Sequence, residues 1–363
     1  MIGGYLEVPD TPKSVASVGY CMPRTGKISK SVFDTVIAPR LGADREDVRL
    51  GPQHGVDFGV IEIGDQALAL ATDPISILPD LGLERASRFA VRIVLADVAV
   101  SGLDPSHLTI SFSLPPTMTD ETFASIWTAI HEECAALGIE VITGHTARYA
   151  GCSLPWVGAA TALAVGDTST IVRPDGARVG DDLVMTTGPA VEATAVLASL
   201  FPEAIDCADS RLARVAAMLD ELDVVRDARA LSAIEGVRAM HDITEGGLLG
   251  GLHEMASGAD VRFDIDTDRV PSDDDVAAIC SCLDMDPWRA TSSGSMVVAV
   301  EPHATSSVLA ALDDRETRAA VVGTVESGSG VVVDDDGTEP PTADSSWPVY
   351  ETLLETTDEG SPE

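Results

Sequence analysis

Hydrophobic runs and the turn signals between them lay out the elements of this chain. Phe58–Ile63 and Gln66–Thr72 read as two strands joined by the turn pair Gly64-Asp65. The stretch Phe89–Val100 is apolar on nearly every face, which predicts a buried helix over Glu84–Ser101. A strand at His107–Leu114 and a helix from Asp120 to Leu137 follow, with Asp120 as the expected cap. A strand over Ile139–Thr143 is expected to end at Gly144-His145-Thr146, and another runs over Trp156–Val165. This ββαβαββ order, with mixed connections, predicts an α/β domain with its helices on one side.

The rest of the chain repeats the mixture without an internal repeat. Composition breaks around Gly176–Asp182, so one domain is expected over 26–172 and a second over 173–330. The second domain is read as strand Leu183–Thr187, helices Val191–Leu200 and Arg211–Leu222, and a helix opened by the turn 239–247 and running to Ala256. Strand Val261–Ile265, helix Asp273–Leu283 and strand Met296–Val300 complete it. Residues 1–25 read as a loose arm. A short helix over Ser31–Leu41 carries Val32, Val36, Ile37 and Leu41 on its apolar side. The acidic end, 331–363, is expected to be mobile apart from a helix near Pro348–Leu354.

Three acids interrupt this pattern. Asp57 follows a turn containing Gly51 and Gly55, Asp73 follows the apolar run Ala67–Ala71, and Asp97 lies inside the buried helix. A carboxylate in such surroundings is costly unless something compensates it. Each can be a hydrogen-bonded structural aspartate. Three together suggest a shared cation, and hard oxygen ligands that leave room for phosphate oxygens suit Mg²⁺.

Composition narrows the partners. The 363 residues carry 59 acids against 23 Lys and Arg, a formal net charge of −36. The lysines are Lys13, Lys27 and Lys30. This balance argues against nucleic acid as a partner, because phosphate contacts need clustered Lys or Arg. Acids spread along the whole chain, with 45% hydrophobic residues, point to a folded protein adapted to high salt. The six cysteines have no zinc-site spacing and read as buried thiols in a reducing cytoplasm. No membrane span and no secretion signal are expected. P-loop, Gly-x-Gly-x-x-Gly and Gly-x-Ser-x-Gly motifs are absent from the sequence.

The stretch Gly51–Asp97, with Gly55, Asp57, Gly64-Asp65 and Thr72-Asp73-Pro74-Ile75, then Ser101-Gly102-Leu103-Asp104-Pro105, resembles the aminoimidazole-ribonucleotide-synthetase-related superfamily. That superfamily includes the purine enzyme, the hydrogenase-maturation factor HypE, thiamine-monophosphate kinase and selenophosphate synthetase. Within it, the chain resembles the archaeal HypE-related branch. The resemblance covers about residues 26–328. It implies a two-domain synthetase-like α/β fold, with the N-domain sheet pairing with that of a second copy in a homodimer and an α/β C-domain covering the cleft. It implies ATP as cofactor, with Mg²⁺ held by Asp57, Asp73 and Asp97. Gly55, Gly144, His145 and Thr146 would join these acids in holding ATP, and Lys27 would reach its phosphates; a plain solvated lysine is the alternative for Lys27.

The turn His241-Asp242-Ile243-Thr244-Glu245-Gly246-Gly247 resembles a superfamily turn that faces the cleft. Its free N–H groups suit an anion. Asp242 or Thr244 serves equally as an ordinary cap. Under the resemblance, Asp242, Thr244, Glu245, Gly246 and Gly247 contact substrate. Ser292-Ser293-Gly294-Ser295 is read as structural. Two residues depart from the superfamily pattern: Ala96 stands where an Asn usually precedes Asp97, and His145 stands where an acid is usual. HypE proper ends in a cysteine, whereas this sequence ends Ser361-Pro362-Glu363, so thiocarbamate dehydration in the known way is not expected.

The expected activity is therefore an Mg·ATP-dependent phosphoryl transfer that activates a carbonyl, amide or phosphate oxygen of an unknown small-molecule or protein substrate. Alternatives are an inactive nucleotide-binding partner in maturation or regulation, and a small-molecule kinase resembling thiamine-monophosphate kinase.

Overall fold

The structure is a computed structural model that describes residues 26–358. The arm over 1–25, Cys21 with it, and residues 359–363 lie outside the described residues.

The chain enters through one turn of helix, α1 (Lys30–Val32), continued by a π turn (Phe33–Ile37) and a 3₁₀ turn (Ala38–Arg40). Val32, Val36, Ile37 and Leu41 are exposed here, so this segment packs no apolar face onto the described fold.

The first sheet contains β1 (Val48–Leu50), β2 (Gly59–Ile63) and β3 (Gln66–Ser76). Helix α2 (Leu83–Ala99) leads to β4 (Pro105–Leu114), and α3 (Asp120–Leu137) leads to β5 (Glu140–Arg148) and β6 (Trp156–Asp167). The strand order is β1-β2-β3-β6-β4-β5, antiparallel except for the parallel β4–β5 pair. Helices α2 and α3 cover one face, as the sequence predicts.

Three local expectations are corrected. Thr119, not Asp120, caps α3, accepting from the Thr122 N–H at 3.1 Å. Asp120 sits instead in the first turn, where its charge favours the helix N-terminus. Strand β3 runs on through Asp73, which pairs with Ala160. Strand β5 likewise runs through Gly144-His145-Thr146 rather than ending there, because β4 pairs in parallel with it as far as Arg148. A Cβ on Gly144 would meet the Ile110 carbonyl oxygen at 2.2 Å, so only glycine fits that register.

The second half forms a seven-stranded sheet in the order β13-β12-β9-β11-β7-β10-β8. Its elements are β7 (Asp182–Thr186), α4 (Val191–Leu200), α5 (Asp209–Met218), α6 (Val224–Ser232), β8 (Val237–Asp242), α7 (Gly247–Ala259), β9 (Arg262–Ile265) and α8 (Asp274–Cys282). After these come β10 (Met296–Val300), α9 (Thr305–Asp313), β11 (Ala319–Glu326), β12 (Gly330–Val333), β13 (Asp336–Thr338) and α10 (Ser346–Asp358).

The stretch 239–247 does open a helix, α7, at Gly247, but its first four residues are the end of strand β8 rather than part of the turn. The end beyond 330 is more ordered than its composition suggests. Val331 and Val333 pair in parallel with β9, and Asp334 and Asp335 take left-handed turns into β13. Tyr350 on α10 packs edge-on against Phe201, so the helix expected near 348–354 belongs to the fold. Cys282 is exposed rather than buried, since it lies at the last turn of α8.

The two halves share a core. One hydrophobic cluster runs from Val60 and Val94 of the first half to Val225 and Leu231 of the second. Early in α2 the buried positions are Ala86, Ser87, Ala90 and Val91; from Val94 to Ala99 every residue is buried. The helix has the first sheet on one side and α6 and β8 on the other. Arg92 fastens this seam: its Nε donates to Glu133 Oε1 at 2.8 Å, and its Nη1 donates to the carbonyls of Asp220 (2.8 Å) and Leu222 (3.2 Å).

Candidate active site

Four elements bring acids to one place. The loop before β2 brings Asp57, β3 brings Asp73, the last turn of α2 brings Asp97, and the end of β8 brings Asp242 with His241. Asp97 and Asp242 are buried, and Asp57 keeps 18% of its side-chain surface. The end of α2 is an unfavourable place for an anion, because the helix dipole presents its negative end there.

The charges are strongly coupled. Burial, then Asp242, Asp73 and Asp57, push the Asp97 carboxyl well above the usual range. Asp73, beside Asp97, has its own carboxyl raised chiefly by burial. Burial, with Asp57, pushes Asp242 up to about 7 against the pull of His241 and Lys27. Burial also opposes ionisation of Asp57, but His241, Lys27 and His54 outweigh it and hold that carboxyl below its usual range.

Two cations face these acids. His241 Nδ1 lies 2.8 Å from Asp57 Oδ2, and its Nε2 lies 3.1 Å from Glu254 Oε2 on α7. Burial disfavours the imidazolium, yet Asp57 and Glu254 raise its pKa well above the ordinary value. Lys27 remains exposed as a residue. Burial of its ammonium works against the charge, but Asp57, Glu254, Asp242 and Asp97 outweigh it and raise the pKa. Its Nζ donates to Thr244 Oγ1 (3.2 Å) and its backbone N–H to Glu245 Oε1 (2.8 Å).

The pocket's polar atoms are under-satisfied. Asp57 Oδ2, His241 Nδ1 and both carboxylate oxygens of Asp242 are buried without a well-directed hydrogen bond. The Asp57–His241 pair is close enough for an ion pair, but its angles are poor for a hydrogen bond, so we regard the contact as electrostatic. Ligand atoms of Asp57, His241 and Asp242 lie within 4.8 Å of one another. Converging, orphaned oxygens are what a divalent cation satisfies, so the residues present fit Mg²⁺.

The sequence candidates divide clearly. Asp57, Asp73, Asp97, Lys27 and Asp242 converge. Gly55 lies against α7: its φ is +77°, and a Cβ there would meet Glu254 Cβ at 2.9 Å. Thr244 and Glu245 hold Lys27. The Gly246 N–H, expected to be free for an anion, donates to Asp344 Oδ2 at 2.8 Å, and the Gly247 N–H donates to the Thr244 carbonyl. Gly144, His145 and Thr146 are exposed on edge strand β5, where His145 Nε2 pairs with Tyr149 Oη at 2.9 Å. Among the described residues, none of their hydrogen bonds or ion pairs reaches the acid cluster. His241 and Glu254 join the site without having been singled out for it. The signal for His241 was its place beside Asp242, but Glu254 looks like any charged helix residue.

Ser292–Ser295 is structural, as read. Ser292 Oγ accepts from the Ala190 N–H (2.7 Å), and Glu192 Oε2 accepts from the Ser293 N–H (2.6 Å) and Thr291 Oγ1 (3.1 Å).

Comparison with known proteins agrees with this architecture. Residues 55–166 match the N-terminal domain, and residues 178–336 the C-terminal domain, of "AIR synthase related protein". A hydrogenase expression/formation protein of Methanocaldococcus jannaschii is 26% identical over 282 residues, covering 76% of this chain and 80% of the relative. Carbamoyl dehydratase HypE of Escherichia coli is 26% identical over 319 residues, covering 84% and 88%. A structure of the hydrogenase maturation protein HypE in complex with ATP shares the fold with a TM-score of 0.64 at 19% identity, covering 88% of this chain and 95% of that one. The chain belongs to the AIR synthase-related family, with HypE among its relatives.

Proposed function

We propose that this protein binds Mg·ATP at the acid cluster and activates a substrate carbonyl, amide or phosphate oxygen by phosphoryl transfer. The observation that carries this is the convergence of Asp57, Asp73, Asp97 and Asp242, with orphaned oxygens, in a largely buried pocket. The ATP complex of a relative with the same fold supports the nucleotide.

Asp57 and Asp242 would hold the cation from the two halves, with Asp73 and Asp97 beside them. Bound Mg²⁺ supplies charge screening for the transferred phosphoryl group. Lys27 carries a positive charge into the same pocket on a flexible stem and is suited to orient phosphate oxygens. Burial excludes water, which strengthens every charge interaction there. No side chain is needed as a covalent nucleophile, because positioning and charge supply the catalysis.

We also infer that the sheet face opposite α2 and α3 pairs with that of a second copy. Leu68, Leu70 and Leu163 remain partly exposed, and Ile63 and Val165 are exposed. Thr72 and Thr161 bond each other on adjacent strands, at 2.9 Å between their hydroxyl oxygens.

Calorimetric titration with ATP in multimolar KCl containing Mg²⁺ tests the nucleotide reading; folded protein that takes up no ATP overturns it. His145, in place of the family's usual acid, favours a second reading, a nucleotide-binding partner without turnover. ADP formation dependent on a small-metabolite extract separates the two.

A further inference from the structure

His241 is set up as more than a counter-ion. In a neutral imidazole one nitrogen carries the proton and the other a lone pair. Glu254 Oε2 stands 3.1 Å from Nε2, which is where it accepts an Nε2–H. That contact turns Nδ1 toward Asp57 and Asp242, and Nδ1 has no well-directed hydrogen bond of its own. His241 is only 2% exposed, as is Asp242. Carboxylate, imidazole and metal in a row is the usual way an outer carboxylate fixes a ligating histidine.

We propose that His241 Nδ1 is itself a ligand, completing a mixed nitrogen and oxygen site with Asp57 and Asp242, and that the pocket therefore takes a Mn²⁺-class ion in preference to Mg²⁺. The inference rests on reading this pocket as a cation site and adds its ligand set and metal preference. Mg²⁺ favours oxygen ligands alone, whereas the first-row divalent ions accept an imidazole nitrogen beside carboxylates, Mn²⁺ being the hardest of them and the one nearest to Mg²⁺ in its taste for carboxylates. Without a cation, a protonated Nδ1 faces Asp57 as an ion pair; a divalent ion replaces that proton, which leaves to solvent. Glu254 is a positioning residue here, since it acts through the imidazole.

The test is Mn²⁺ binding to the full chain without nucleotide, followed by electron paramagnetic resonance. Loss of the free-Mn²⁺ signal gives affinity, and electron spin-echo modulation detects a directly bound ¹⁴N. The wild-type protein is expected to show ¹⁴N coupling that ¹⁵N-histidine labelling shifts. The coupling should survive His54→Ala, which removes the other imidazole near Asp57. His241→Asn should lower the Mn²⁺ over Mg²⁺ preference about tenfold, and Glu254→Gln should weaken Mn²⁺ binding about 10–100-fold. The wild-type spectrum needs no variant to fold. Bound Mn²⁺ with no ¹⁴N coupling, while Mg²⁺-dependent ATP binding persists, overturns this inference and leaves the proposed function standing. No uptake of either cation, with ATP or without it, overturns both.

Discussion

Asp57 Oδ2 and His241 Nδ1 stand 2.8 Å apart, one from each half of the molecule. The contact joins the loop before β2 to the end of β8, so the cluster gains Asp242 and His241 only when the two halves are docked. Assembly of the site and packing of the seam are therefore one event.

The cluster's worth to a ligand is tested at Asp73. Asp73→Asn keeps the size of the side chain but removes an anion from the pocket. We expect the fold to persist and Mg²⁺-dependent ATP affinity to fall at least about tenfold, a loss of about 1.4 kcal/mol or more. Calorimetry with Mg²⁺ and with EDTA gives both numbers. Unchanged affinity would mean that the cation is held elsewhere.

The same cluster is a liability without a cation. Asp97 is buried at the negative end of α2 among like charges. Asp97→Asn should raise stability in EDTA by roughly 1–3 kcal/mol, since uncompensated buried charge is removed. It should also reduce any extra stability conferred by Mg²⁺, because one of the charges beside the cation is gone. Thermal melts of both proteins, with and without the ion, check this; a variant less stable in EDTA counts against the repulsion.

Glu192 gives a pH signature away from the cluster. Burial pushes its carboxyl up to about 7 despite hydrogen bonds from Ser293 and Thr291. The folded state therefore keeps a proton that the unfolded chain, with an ordinary carboxyl, has lost. Stability is lost as pH rises from about 4.5 to about 7, about 3 kcal/mol in all. Glu192→Gln should be nearly neutral at the acid end and stabilising by about 3 kcal/mol at pH 8. Denaturant unfolding at both ends of that range reads the difference.

Arg92 holds the seam between the halves. Its side chain is 15% exposed and that of its partner Glu133 is 6% exposed. Arg92→Met strands Glu133 and frees the carbonyls of Asp220 and Leu222, for a loss of about 3 kcal/mol or more. The double variant with Glu133→Gln should recover part of that. A double-mutant cycle showing no coupling would mean that the backbone contacts alone hold the seam.

Pairing of the first sheet with a second copy is tested at Val165, 49% exposed near the end of β6. Val165→Glu puts a charge on that face and should yield the single-chain mass by light scattering. A wild-type protein already at that mass would remove the paired sheet.

Much of the local structure was legible in the sequence. The span of α3, the strand Met296–Val300 and α4 fall where hydrophobic rhythm puts them, because that rhythm records which face of an element is buried. The oddity of Asp97 was legible too, since an acid among consecutive apolar residues has no face to escape to. Elements such as α9 and β12 escaped notice, because short apolar runs among acids and glycines carry little periodicity.

Periodicity, composition and motif marked out the segments, the family resemblance and three acids that needed an explanation. Packing between distant elements supplied what answers them. It brought His241 and Glu254 to Asp57, assigned the Gly246 N–H to Asp344, and left His145 on an edge strand. The reason is range: periodicity and capping act over a few residues, whereas the field at a buried carboxylate is set by whichever distant elements pack around it.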